Sequence, residues 1–85
     1  MLINLKPGEW ARVTAIQGGR GVRQRLSLRG IQEGSTLKVI SSAQGPVVLE
    51  VKRNIVVIGR GMAAKVIVEK LNNKEKRQGN EEKDI

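Results

Sequence analysis

Val47-Val48-Leu49-Glu50-Val51 and Ile55-Val56-Val57-Ile58, parted by Lys52-Arg53-Asn54, are two aliphatic runs of strand length with a polar turn between them. β-Branched side chains crowd a helix but pack well on a pleated surface, so both runs predict strands. Upstream, beyond Gly45-Pro46, Leu37 to Ile40 is a third such run; downstream, beyond Gly59-Arg60-Gly61, Val66 to Val68 is a fourth. A fifth strand begins near the start of the chain. From Glu9 to Ile16 the sequence alternates, with Ala11, Val13 and Ala15 on one side and Trp10, Arg12, Thr14 and Ile16 on the other. Val and Ile supply 18 of the 85 residues, Phe and Tyr are absent, and Trp10 is the one aromatic. Five short antiparallel strands expose edges that invite foreign pairing, and closing into a small barrel would remove them.

One segment departs from the strand period. After Gly18-Gly19, residues Arg20 to Arg29 place Val22 and Leu26 four apart, and Gly30 stands where a helix C-terminal cap belongs. This predicts a short helix between the first two strands. Leu28 falls off the Val22/Leu26 face at 100° per residue, so it is either poorly buried or part of a second contact surface. Gly61-Met62-Ala63-Ala64 predicts one further helical turn before the last strand. The expected core is aliphatic: Leu37, Val39, Leu49, Val51, Val57 and the pair Val66 and Val68, joined by Val13, with Leu26 and Ile31 over one end.

The chain carries 16 Lys and Arg against 8 Asp and Glu, a formal charge of +8, with an isoelectric point of ≈ 10.7. Residues 72–85 hold four basic and four acidic groups and Ile85 as their one apolar side chain, so this tail cannot offset its ordering entropy and is expected to be disordered. Residues 1–71 then form the domain and hold the entire excess, 12 basic groups against 4 acidic. Such a surface favours acidic partners. The longest aliphatic run, Ile55 to Ile58, is far below the roughly 20 residues of a membrane span, so a soluble, unsecreted protein without a transmembrane segment is expected.

Neither His nor Cys occurs, which removes the commonest general base, the thiolate nucleophile and the ordinary zinc and iron–sulfur ligands. Glu9, Glu33, Glu50 and Glu69 occur singly, no Ser lies in a nucleophile signature, and the spacing brings no hard-cation ligands together. No catalytic residue, metal site or cofactor is therefore assigned. Gly18-Gly19-Arg20-Gly21 sits between a strand and a helix as a phosphate-binding loop does. It lacks both the Lys-Ser/Thr ending of a P-loop and the third glycine of a dinucleotide loop, and reads as a tight turn requiring positive φ.

Several stretches together resemble the FeoA family: Leu5-Lys6-Pro7-Gly8-Glu9, Gly18-Gly19, Arg25-Leu26 through Gly30-Ile31, Glu33-Gly34, Gly45-Pro46-Val47, Val57-Ile58-Gly59-Arg60, and Met62-Ala63 before Val66-Ile67-Val68. Their order and spacing, rather than any one motif, carry the likeness over residues 3–70. The resemblance implies a mainly β, SH3-like barrel of five to six strands with one short helix between the first two. It also implies a cytoplasmic, non-enzymatic accessory protein of ferrous iron uptake. Its partner would be FeoB, a membrane transporter with its own GTP-binding domain, met at that domain or at a membrane-proximal surface. Two positions depart from the family pattern. Arg29 stands where an apolar residue precedes the helix-ending glycine, with Leu28 one place earlier, which predicts a rotated or re-registered helix. Glu33 stands where the family has proline.

The basic helix and its neighbourhood supply the candidate partner-binding residues Arg20, Arg23, Arg25, Leu28, Arg29, Arg60 and Met62, with Lys52, Arg53 and Lys65 adding charge near later turns. Arginine mixed with exposed apolar groups is a composition that interfaces use. Two alternatives stand beside docking on FeoB. A basic barrel can bind phosphate backbones non-specifically, although without Phe or Tyr it has no stacking platform for single strands and no specific nucleic acid is expected. A free-standing relative of the C-terminal barrel of iron-dependent repressors is the other. No signal for self-association is read.

Overall fold

Each aliphatic run becomes a strand. A 3-10 turn (Leu2–Asn4) is followed by β1 (Trp10–Ile16), α1 (Arg20–Leu28), β2 (Thr36–Ser41), β3 (Val47–Val51), β4 (Asn54–Ile58), the single turn α2 (Arg60–Ala63) and β5 (Val66–Leu71). The structure, a computed structural model, describes residues 1–71, and the disorder expected of residues 72–85 lies outside the described residues. All neighbouring strands are antiparallel, in the order β4-β3-β2-β1-β5.

The fold is the expected mainly β, SH3-like one, but its ring of hydrogen bonds is open. β4 pairs only with β3 and β5 only with β1, and no ladder joins the two ends among the described residues. The chain crosses from one end to the other through α2, which packs on the N-terminal 3-10 turn. Leu2 and Ala63, both fully buried in the common core, close this side with side chains where a barrel would use a ladder. Neither Leu2 nor Leu5 belonged to the expected core, since the first residues show no period.

Of the expected core, Val13, Leu37, Val39, Leu49, Val51 and Val66 are buried, as are Leu26 and Ile31, while Val68 packs partly buried against them. Two strands contradict the expected alternation, each through a shift of one residue. Ile16, expected outside, is buried and Ala15 is only half-buried. The β1–β5 register shifts between Val13 and Ala15, leaving Thr14 as an extra residue that inverts the phase of the remainder of the strand. Thr14 Oγ1 donates to the carbonyl of Ile67 at 3.2 Å across that shift.

Val57, expected inside, is 51% exposed. The hairpin loop is Lys52-Arg53 alone, with φ of 51° and 70°, the two left-handed positions of a type I′ turn, and Asn54 opens β4 opposite Val51. That one-residue difference from a three-residue divider turns Val56 and Ile58 inward and Ile55 and Val57 outward.

Candidate docking surface

α1 is anchored along one line. Leu26 is buried and Val22 is half-buried, and four arginines stand around them. The helix ends in a double hydrogen bond: the Gly30 N–H donates to Ser27 O and the Ile31 N–H to Leu26 O, both at 2.9 Å. Gly30 supplies the φ of +83° that a Schellman cap uses, and the flanking Leu26 and Ile31 are both buried, the apolar contact that often accompanies it. Leu26 keeps the inward place, Leu28 is 81% exposed, and Arg29 serves as the capping residue with its side chain exposed. At the other end Gly18 takes φ +105°, so the turn reading of the glycine loop holds at that residue, whereas Gly19 is extended.

The seven predicted residues divide into two flanks and two outliers. On the flank facing β1, Arg23 is bound into the fold: Nη1 donates to Glu33 Oε2 at 2.7 Å and Nη2 to the Ile16 carbonyl at 3.2 Å. The hydrogen bond from Arg23 holds the Glu33 carboxyl below its usual value. Glu33, the departure from proline, thus ties the loop after α1 back to the helix. Arg20 lines the same hollow with Ile16, Gln24, Ser27 and Gln32.

On the opposite flank Arg25, Arg29 and Met62 come together, lining a cleft with Leu26, Val57, Ile58 and Gly59. Arg29 Nη1 folds back to the Arg25 carbonyl at 3.3 Å, and neither arginine meets a carboxylate among the described residues. Met62 is half-buried against the core. Arg60 turns to the Ser42 carbonyl at 2.8 Å, and Leu28 stands outside both hollows. Sequence reasoning missed Ile55 and Val57 as surface residues, and the signal was the two-residue loop.

Three of the four acidic groups of the domain are already engaged. Glu33 holds Arg23; Glu9 accepts from the Lys6 N–H and from Lys70 Nζ, each at 2.7 Å; Glu69 lies 3.8 Å from Arg12. The Lys6 amide first, then Lys70, keeps the Glu9 carboxyl below its usual value. Glu50 lies across from Lys38 on β2, whose Nζ sits 5.8 Å from the centroid of half-buried Trp10. Among the described residues, no group of three or more acidic, His or Cys side chains is placed to hold a metal ion, and no helix is long and apolar enough to cross a membrane.

The open five-stranded sheet with its inserted basic helix defines a small SH3-like domain. The family profile described as FeoA domain matches residues 1–70, and the chain belongs to the FeoA family. A protein of Methanocaldococcus jannaschii provisionally named Fe(2+) transport protein A is 47% identical over 64 residues, covering 75% of this chain and 78% of its own. The crystal structure of an iron uptake regulatory protein, FeoA, superposes with a TM-score of 0.78 at 37% identity over 82% of this chain and 93% of that one. A manganese-dependent transcriptional repressor shares the fold, with a TM-score of 0.76 at 20% identity, over 82% of this chain and 35% of its own. That likeness concerns fold alone.

Proposed function

We propose that this protein is a cytoplasmic, non-enzymatic accessory component of ferrous iron uptake that docks on the FeoB transporter through the Arg25/Arg29 flank of α1 and the cleft beside it. The observation that carries this reading is the pairing of two uncompensated arginines with half-buried Met62 and exposed Val57 in one concave surface. Charge at the rim speeds and orients encounter, while Val57 and Met62 supply apolar contact that holds the complex. Ferrous iron is the cargo of the transporter, and the domain acts on the carrier. A docked partner shifts a conformational equilibrium only if it binds the two states unequally, so capture should differ between nucleotide states of FeoB. Isolated, ion-paired carboxylates and the absence of His and Cys support a role without chemistry of its own.

The test is retention on immobilised full-length FeoB with and without guanine nucleotide. The Arg25→Glu/Arg29→Glu chain should lose at least tenfold in retention, and wild-type retention should fall with salt. Equal retention of both chains at every salt concentration sinks this reading.

A further inference from the structure

β4 ends the sheet with an edge to which no other strand is hydrogen-bonded among the described residues. In an antiparallel ladder, alternate residues turn both backbone groups toward the partner strand. The two-residue loop makes Val51 and Asn54 the bonded pair that closes it, so Asn54, Val56 and Ile58 face β3. The N–H and C=O groups of Ile55 and Val57 therefore point away from the sheet, and no turn, cap or side-chain bond reaches them among the described residues. Edge strands are usually blunted by charge, proline or a bulge. β5, at the other end, carries Glu69 and Lys70 and meets β1 through a bulge. β4 has none of these devices: its sequence is Asn-Ile-Val-Val-Ile, its five pairs with β3 are regular, and Ile55 and Val57 are 62% and 51% exposed.

The charge around this edge is one-sided. Lys52 and Arg53 precede it, Arg60 lies just beyond it, and Arg25 and Arg29 line the cleft at its far half. The one acid beside it is Glu50, opposite Ile55 on β3 and flanked by Lys38 on β2. A second copy pairing antiparallel would set Lys52-Arg53 of one chain against Arg60 of the other, and pairing parallel would set Lys52-Arg53 against itself. Both bring cations together and disfavour self-pairing.

We propose that β4 receives, as an added strand, an extended segment of a partner protein in which acidic residues alternate with apolar ones. Main-chain bonds to Ile55 and Val57 supply affinity. The apolar residues of the segment, all on one face of the added strand, pack beside Ile55 and Val57, and its carboxylates, on the opposite face, meet Arg25 and Arg29 at the cleft. The proposal rests on the docking reading only in taking the partner to be a protein, and it names the main-chain contact that the helix cannot make.

The probe is a synthetic octapeptide alternating Val with Glu, added to the full chain while amide hydrogen exchange is monitored by NMR, beside a peptide with Lys in place of Glu. The Glu peptide should slow exchange of the Ile55 and Val57 amides at least tenfold, the Lys peptide should not, and both Val57→Pro and Ile55→Glu/Val57→Glu should abolish binding with the fold intact. Pro is tolerated where the edge N–H faces solvent, and the second variant keeps the backbone unchanged should the first fail to fold. Equal slowing by both peptides, slowing by neither, or protection of these amides already in the free chain overturns the proposal. Loss of all wild-type retention removes the docking reading, while the peptide experiment still decides for the edge.

Discussion

The two flanks of α1 use the same residue type for opposite purposes. Toward β1, Arg23 bonds both a carboxylate and a main-chain carbonyl, and its charge is consumed by the fold. Toward β4, Arg25 and Arg29 border a cleft with Met62 and meet no acid among the described residues. The three arginines of α1 and the one at its C-cap thus do not form one patch, and the position of a single carboxylate, Glu33, separates them. Basic composition alone locates a surface; pairing decides which part of it is available.

Both flanks depend on the line of contact between them, so the largest effect belongs there. Leu26→Ala should cost about 2–5 kcal/mol in a denaturant melt, because the buried side chain also forms the apolar half of the cap with Ile31. A cost below about half a kcal/mol would show that α1 is held by its flanks instead. Next comes Gly18→Ala, at a φ of +105° where the added Cβ would lie 3.1 Å from Val22 Cγ2, which should cost about 1–3 kcal/mol. A neutral result would mean that the loop before the helix relaxes freely.

The β1 flank is then resolved by pH. The Glu33 carboxyl is depressed in the folded chain, so its contribution is present above the unfolded value, about 4.3, and lost as pH falls through the lower folded value. Wild type and Glu33→Gln should therefore differ most in melting temperature above about pH 5 and converge in acid. A pH-independent difference would assign the effect to shape rather than charge. The smallest expected change is on the open flank: Arg25→Glu/Arg29→Glu should alter stability by no more than about 0.5 kcal/mol while it cuts retention on FeoB. A large loss of stability would place these arginines with Arg23 as parts of the scaffold.

Strand-forming composition, the helix between β1 and β2 and its glycine cap were legible because each rests on local chemistry. The inward turn of Ile16 and the outward turn of Val57 were not, since each depends on one residue more or less, a bulge at Thr14 and a two-residue loop at Lys52-Arg53. The buried Leu2 and Leu5 lacked any periodic context. At the surface, charge alone gathered the arginines into one group and offered no means of sorting them, because Arg23 and Glu33 meet across a turn.

The extra residue at Thr14 has a counterpart in β2, where the register with β3 slips between Val39 and Ser41. Each slip adds bend and coil to its strand, and the two lie in adjacent central strands. A flat ribbon of five strands would leave its greasy side half wet; creased twice near the middle, it curls around Leu37 and Leu49. The crease at Thr14 also makes this part of β1 a place where the strand can lose a residue and still point Ile16 at the core.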